Sequence, residues 1–510
     1  MPLMPLQNDT QYIYDPGQDH TEILFILPPL FVFMDRDFPA LHLGLGHLVS
    51  FLKARDFSSR IYNADIYQPT RFVEAPFEST LKRIHRMYSG YSYIAKRWSS
   101  YYDRVNDLDN PIWQDLRTVL RKTQPKIVGI TSSVIAIPSA LVVSRLVREE
   151  LPGSKVVIGG PAATTCADEL IHHDSIDLLV VGEGEETMVE LSAFLLGREN
   201  SLSSLKKISG LMYRDGSEII ITGERSVIAD LDSLPFPDRE SMFVLGDNGE
   251  LKAVLSNADI LASRGCPYPC KFCCAFLTWG TRKTRFRSVD NILAEIIYLN
   301  RTYGQRKFVF WDDLFTASRK RTIELCAKII KNVTDIEWVC LVRLNTIDAE
   351  LLALMRDAGC REIQVGIESG NDRVLNHIGK DLTVNIILEK TALIQASGIR
   401  WMAFLIIGFP TETRSEMEET LNLAKKIHPT SITIGMFCPY PGTEFHRQLK
   451  EQGRLGTSFM RADSWYPYNN YTGTMDDKEF TRFAIQALKF GDRYNKISAL
   501  RAFLCKIISH

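Results

Sequence analysis

The chain lacks an excess of charge of either sign. Its 60 Lys and Arg stand against 61 Asp and Glu, a net charge of −1, so bulk electrostatics point to neither a nucleic-acid nor a membrane-surface partner. Long hydrophobic runs are also missing; none reaches the ~20 apolar residues that span a bilayer. The start, Met1-Pro-Leu-Met-Pro5, has no charged region followed by an apolar run, so no secretory signal is expected. The ten cysteines show no framework of paired spacings, which argues against a disulfide scaffold and suits a reducing cytoplasm. What remains is 45% hydrophobic and 24% charged over 510 residues, a globular composition with room for about three domains.

One stretch organises the rest: Ala262-Ser-Arg-Gly-Cys266-Pro-Tyr-Pro-Cys270-Lys-Phe-Cys273-Cys274. Three cysteines at C-x3-C-x2-C follow an apolar strand. Thiolates are the usual ligands of iron–sulfur clusters, and a tight loop lets three of them converge. A four-iron cluster held by three ligands keeps one iron open. Zinc takes four ligands in paired knuckles, and no fourth Cys or His stands at such a spacing. The segment resembles the radical S-adenosylmethionine (SAM) superfamily. That resemblance implies a 4Fe-4S cluster on Cys266, Cys270 and Cys273. It also implies SAM bound through its amino and carboxylate groups to the open iron and cleaved to a 5′-deoxyadenosyl radical.

Ahead of this loop, over 1–195, apolar strands alternate with helices. The strands read as Glu22–Leu27, Ser59–Tyr62, Lys126–Thr131, Lys155–Ile158 and Leu178–Val181, with helices at Leu41–Lys53 and Ser139–Glu150. Alternation of this kind predicts a doubly wound, Rossmann-like parallel sheet, with ligands beyond the carboxyl ends of its strands. At those ends stand Ser132 and Ser133, then Gly159, Gly160 and Pro161, then Gly182, Glu183 and Gly184. Ile158–Pro161 and Val181–Glu185 resemble the cobalamin-binding domain that precedes many radical SAM enzymes, which makes these residues the candidate cobalamin contacts. The D-x-H-x-x-G motif that supplies a histidine to cobalt in many cobalamin proteins is absent after the first strand, where Pro28-Pro29-Leu30-Phe31 stands. Cobalamin is therefore expected base-off, with no protein histidine on cobalt. Residues 68–122 form an insertion rich in Tyr, Trp and Arg, too long for a plain crossover, and are expected as a helical lid or packing arm. Residues 196–255 read as a linker carrying a hairpin, Gly210–Thr222, around Asp215-Gly216.

From 256 to 445 six strand–helix units can be counted. Their strands are Ile260–Ser263, Phe308–Trp311, Glu337–Leu341, Glu362–Val365, Trp401–Ile407 and Ser431–Phe437. They predict a partial (β/α)6 barrel with its functional residues at the strands' carboxyl ends. By the same resemblance, Asp312 and Asp313 are candidates for the SAM amino group, with backbone carbonyls a third possibility. Arg343 would pair with the SAM carboxylate. Glu368 and Ser369 would reach the ribose and methionyl end. Ile407 and Gly408 would pack on the adenine, and Phe272 would meet it through its backbone. The run Arg282-Lys-Thr-Arg285-Phe-Arg287 is either an anion site or a solvated face. Cys274 and Cys438 are expected as buried thiols. Residues 446–510 read as a helical segment capped by Asp477, with the aromatic stretch Trp465–Tyr471 a candidate for substrate contact.

Together these features resemble the cobalamin-dependent radical SAM enzymes, class B methyltransferase-like. The resemblance implies methyl transfer from methylcobalamin to an unactivated carbon (or phosphorus) of a small biosynthetic substrate, after hydrogen abstraction by the deoxyadenosyl radical. The alternative it allows is a cobalamin-dependent oxidoreductase or cyclase without methyl transfer. An external electron donor of the flavodoxin or ferredoxin type is implied as well. A methylthiotransferase is disfavoured: it needs a second cysteine triad, and only Cys166 precedes Cys266. No residue is singled out as catalytic in its own right.

Overall fold

The computed structural model describes residues 11–14, 21–30, 32–34, 42–65, 101–198, 203–246, 249–255, 258–455 and 469–508. Its first sheet contains β1 (Gln11–Tyr14), β2 (Ile23–Leu27), β3 (Ser59–Asn63), β4 (Ile127–Thr131), β5 (Lys155–Gly159), β6 (Leu178–Val180), β7 (Leu211–Asp215), β8 (Glu218–Ile221), β9 (Met242–Leu245) and β10 (Leu251–Leu255). The spatial order is β1-β10-β9-β3-β2-β4-β5-β6-β7-β8. The strands from β9 to β6 are parallel, and both flanks are antiparallel.

The central strands are apolar throughout because both faces are covered. Leu24 and Ile26 pack with Trp113, Leu116 and Val143 on one side. Ile23 and Phe25 pack with Val49, Leu52 and Leu191 on the other. Helices Pro111–Thr123 and Ile137–Glu150 thus cover one face, and Leu43–Lys53 and Glu185–Leu195 the other. This is the doubly wound arrangement read from the sequence. Phe25 fits because Gly129 on the adjacent strand has no side chain; a Cβ there would lie 2.5 Å from its ring.

Residues 196–255 are more than the linker expected. The hairpin around Gly216 forms, but β7 is hydrogen-bonded to β6, while β9 and β10 extend the opposite side beside β3. The physical reason is edge satisfaction. A lone hairpin is marginal in water, and β6 would otherwise present unpaired backbone groups. Of the 68–122 insertion, residues 68–100 lie outside the described residues. Its end packs into the core: Tyr101 is fully buried, with its hydroxyl 3.0 Å from the Ser139 hydroxyl.

The second sheet contains β11 (Asp259–Ile260); after it β12 (Ser263–Arg264) and β13 (Arg285–Phe286) form a separate short ladder. The sheet continues with β14 (Lys307–Phe310), β15 (Glu337–Val342), β16 (Cys360–Glu368), β17 (Arg400–Ile407) and β18 (Ser431–Met436). Its six strands are all parallel, in the order β11-β14-β15-β16-β17-β18. β11 and β18 do not pair with each other, so the barrel is open. β11 stops at Ile260, short of the expected Ser263, because the chain turns away to build β12.

The last helix, Asp477–Ile508, lies along β18. Asn495 meets that edge in two-point fashion, accepting from the Ile432 N–H at 2.8 Å and donating to its carbonyl at 2.9 Å. Phe480, Phe483 and Leu488 bury themselves in the barrel core. The cap of this helix is Asp476, not Asp477: the Asp476 carboxylate accepts from the Glu479 N–H at 2.8 Å, three residues on, as an N-cap must. Of the aromatic stretch at 465–471, residues 465–468 lie outside the described residues, and Tyr471 packs edge-on against Phe437. No described helix is long and apolar enough to cross a membrane.

The turn between β15's neighbouring helix and β16 supplies a stability test. Gly359 has φ +96°, and a Cβ there would run into the Ile336 carbonyl oxygen, whereas Gly304 has φ +67° with open space around it. Gly359→Ala is expected to lose about 1–3 kcal/mol. Gly304→Ala should lose less, as read by denaturant unfolding of the two variants side by side.

Candidate functional site

The cysteine loop is held at its base by the β12–β13 ladder, where Arg264 lies opposite Arg285. Gly265 follows with φ +98°, where a Cβ would press on the Lys283 carbonyl oxygen at 3.0 Å. From there the loop is tied on several sides. The Lys271 N–H donates to the Ile378 carbonyl at 3.0 Å and the Cys273 N–H to the Cys270 carbonyl at 3.2 Å. Cys270 is buried, and Cys266, Cys273 and Cys274 are half-buried. Burial pushes the Cys266 and Cys274 thiols up, and Cys273 up to about 12. Ligating thiolates must lose these protons, so loading the loop releases them.

Arg343 stands at the end of β15, over the Tyr268 ring at 4.0 Å, with Nη1 3.4 Å from Cys270 Sγ. It is 5% exposed, yet Nε and Nη2 have no hydrogen-bond partner among the described residues. A buried guanidinium with two nitrogens to spare beside the Cys270 thiol fits a carboxylate ligand at the cluster, the role expected for it. The chemistry of the donor set therefore suits a 4Fe-4S cluster with SAM beside it.

Asp312 and Asp313 sit differently. Asp312 is buried; its carboxylate accepts from the Ala262 N–H at 3.1 Å and from the Ser263 hydroxyl. Burial raises its pKa, with Arg321 opposing. Asp313 Oδ2 accepts from the Gly265 N–H at 3.2 Å and from Trp279 Nε1 at 2.7 Å. Both carboxylates therefore tie the base of the loop.

Glu368 ends β16 at φ +66°, beside a register shift against β17. Strain of this kind persists only where the surroundings impose it. What imposes it is Lys380, 2.8 Å away, with both side chains buried. Ser369 is fully buried against the Thr420 hydroxyl at 3.2 Å. Ile407 is buried, and Gly408 is at φ +87°, where a Cβ would lie 2.7 Å from the Phe480 ring. Glu412 Oε2 accepts from the Gly408 and Phe409 N–H groups at 2.7 and 3.0 Å. Phe272 packs its ring edge-on against Phe409 at 5.5 Å. Cys438 is half-buried and pushed up to about 12 by burial, a protonated thiol.

In the first domain, Ser132, Ser133, Gly159, Gly160, Pro161 and Gly182 lie at the ends of adjacent parallel strands, as expected. Gly160 has φ +86°, where a Cβ would press on Thr131 Oγ1 at 3.0 Å, so only glycine makes this turn. Gly182, at φ +82°, has nothing within 4 Å of where a Cβ would stand. That bare backbone suits the close approach of a flat ligand. Ser132 is buried with its hydroxyl on the Ser133 carbonyl, and Ser133 is exposed. After β2, the Leu30 and Val32 N–H groups both donate to Asp65 at 2.8 Å. Helix Pro161–Thr165 packs against helix Ala275–Thr278, which follows the cysteines, so the two loop sets face one another.

Glu183 stands elsewhere than expected. Its carboxylate is buried between Arg264 at 2.8 Å and Arg285 at 2.9 Å; burial raises its pKa, and the two guanidinium groups outweigh that and lower it. Glu185 pairs with Arg264 at 2.6 Å. Gly184 precedes helix Glu185–Leu195, near Leu48. Arg285 and Arg287 are thereby committed inside the protein, Arg287 to Glu295 at 2.5 Å. The basic run thus divides: Arg285 and Arg287 are buried in ion pairs, while Arg282, over the Phe276 ring at 4.0 Å, and Lys283 are exposed. The ion-pair roles of Arg264, Glu185 and Lys380 have no signal in the sequence, since their partners lie elsewhere in the chain or in a turn.

A doubly wound glycine-looped domain facing a cysteine-bearing open barrel defines a class: enzymes that set a corrinoid against an iron–sulfur radical centre. The Radical SAM superfamily profile matches residues 260–424, and the B12 binding domain profile matches residues 90–192. An uncharacterized methyltransferase of Pyrococcus horikoshii is 30% identical over 82% of this chain and 89% of its own. The anaerobic magnesium-protoporphyrin IX monomethyl ester cyclase of Cereibacter sphaeroides is 29% identical over 72% of this chain and 59% of its own. The structure of the radical SAM methyltransferase TsrM from Kitasatospora setae, with cobalamin and a [4Fe-4S] cluster bound, superposes with a TM-score of 0.61. It is 16% identical and covers 85% of this chain and 75% of that one. The chain belongs to the cobalamin-dependent radical SAM family, and it is a radical SAM enzyme of the methyltransferase kind, with 4Fe-4S, SAM and cobalamin as its cofactors.

Two consequences can be measured. Lys380→Met strands Glu368 as an uncompensated buried charge, which costs about 3–5 kcal/mol; lower stability together with weaker SAM binding by calorimetry is the expected result. Burial lifts Glu412 from 4.5 to about 8. A carboxyl raised in the folded state contributes stability that is fully present below the unfolded pKa and is lost as pH rises through the folded one. Unfolding midpoints should therefore fall from pH 5 to pH 8, and Glu412→Gln should flatten that fall.

Proposed function

We propose that this enzyme transfers a methyl group carried by cobalamin to an unactivated carbon, or to phosphorus, of a small biosynthetic substrate, once the 5′-deoxyadenosyl radical has removed a hydrogen atom from it. When bound, the cluster supplies the electron that splits SAM, and cobalamin carries the methyl group. The observation behind this reading is the packing of helix Pro161–Thr165 against helix Ala275–Thr278, which turns the glycine-lined loops toward the cysteine loop. Radical formation and methyl delivery have to meet on one substrate atom, and such proximity supports the reaction.

The chain's own part is to hold and to exclude. Arg343 offers two unpartnered donors to the SAM carboxylate. Glu368, fixed by Lys380, is available to the ribose, and Ile407, Gly408 and the Phe272 backbone to the adenine. A backbone carbonyl after β14, or the free oxygen of Asp313, would take the SAM amino group. Cobalamin is read as base-off, without a protein histidine on cobalt, since Pro28-Pro29-Leu30-Phe31 stands where the D-x-H-x-x-G motif would. The electron is read as coming from a flavodoxin- or ferredoxin-type donor in a reducing cytoplasm. The likeness to the Cereibacter cyclase favours a second reading, radical oxidation or cyclisation without methyl transfer.

The test is anaerobic purification, cluster reconstitution, addition of hydroxocobalamin and removal of the excess. Near-stoichiometric corrinoid with a base-off spectrum is expected. Incubation with SAM and reductant should then yield both 5′-deoxyadenosine and S-adenosylhomocysteine. Deoxyadenosine without S-adenosylhomocysteine would favour the cyclase reading, and a loaded cluster without corrinoid would overturn both.

A further inference from the structure

The base of the cysteine loop is electrostatically unusual. In the β12–β13 ladder, Arg264 is directly opposite Arg285, and like charges so placed push an antiparallel pair apart. Neither arginine reaches water; both side chains are 4–5% exposed. What holds them together comes from the other domain. Glu183 accepts from Arg264 Nη1 at 2.8 Å, and from Arg285 Nη1 and Nη2, each at 2.9 Å. Glu185 accepts from Arg264 Nη2 at 2.6 Å. The segment after β8 closes the group: the Ile228 N–H donates to Glu183 at 2.7 Å, and its carbonyl accepts from Arg285 at 2.6 Å. Arg264 lies two residues before Cys266, and Glu183 lies next to Gly182, whose backbone has open space around it.

We propose that Glu183 and Glu185 are positioning residues that close the base of the cysteine loop from the corrin-binding domain, so that the two cofactor sites are set as one unit. The Arg264–Arg285 pairing stands only while the loop after β6 is docked on it. A ligand seated over Gly182 therefore biases the same loop that clamps the cysteines. This rests on the cobalamin reading above, and a misplacement of ~1 Å between reacting groups is enough to slow a reaction about 100-fold.

The experiment uses the full chain with its cluster reconstituted and hydroxocobalamin added, then reduced. Pulsed electron paramagnetic resonance reads the distance between the reduced cluster and cob(II)alamin in the unsubstituted protein, Glu185→Gln and Arg264→Lys. The expected result is a shifted or broadened distribution in both variants with iron and corrinoid contents retained, or loss of cluster iron from a still-folded chain. A role in stability alone would lower the melting temperature and leave the distance unchanged; an unchanged distribution at full cofactor content overturns the proposal. Should the unsubstituted protein take up iron but no corrinoid, the cobalamin reading falls instead. The positioning role is then read from amide hydrogen exchange over 263–266, which should quicken in Glu185→Gln, and equal exchange overturns it.

Discussion

The ion-pair group of Glu183, Glu185, Arg264 and Arg285 is the constraint on which the arrangement of this protein turns. Four charges leave water at a seam between two sheets, and removing one partner from such a group costs about 3–5 kcal/mol. The seam has a second group of the same kind. Glu295 takes Arg239 at 2.8 Å and Arg287 at 2.5 Å, and Arg239 also donates to the Asp259 carbonyl at 2.7 Å. An apolar seam tolerates sliding, because contact there is non-directional. Bidentate guanidinium–carboxylate pairs tolerate little, because their hydrogen bonds are directional.

The same seam explains how the chain can place two demanding cofactors. Each sheet presents the carboxyl ends of its parallel strands, where side chains and bare backbone are free to face a ligand. The sites are made from strained or glycine-only turns: Gly160 and Gly182 on one side, Gly265, Glu368 and Gly408 on the other. Those of the barrel are held from behind. Lys380 holds Glu368, the Phe480 ring fills the space behind Gly408, and Asp313 holds Gly265. The C-terminal helix belongs to this support, since it brings Phe480 and covers the edge of β18 through Asn495.

Much of this was legible before the structure. C-x3-C-x2-C reads directly because three ligands to one cluster must lie in one short loop. The strands of both sheets read from apolar runs, because parallel strands are buried on both faces. Arg343 reads from its place at a strand end. Other features stayed hidden. Residues 196–255 looked like a linker because a hairpin's own pattern does not say which sheet edge it will complete. Glu183 looked like part of a ligand loop because its neighbours Gly182 and Gly184 are glycines. Its carboxylate turned instead to two arginines 81 and 102 positions away. Asp312 looked like a ligand group, yet it bonds the loop's backbone and Ser263, and Asp313 commits one oxygen to the loop's backbone and Trp279.

By itself, then, the sequence determined what is local: cysteine spacing, strand and helix periodicity, the glycines that turns require, and the order of motifs along the chain. These depend on neighbours within a few residues, where bonding geometry decides. The tertiary structure alone decided which charges pair, which sheet takes the connecting strands, and how the corrin-facing loops meet the cysteine loop. A carboxylate's partner is chosen by proximity and desolvation in the folded state, and neither is written in the residues beside it.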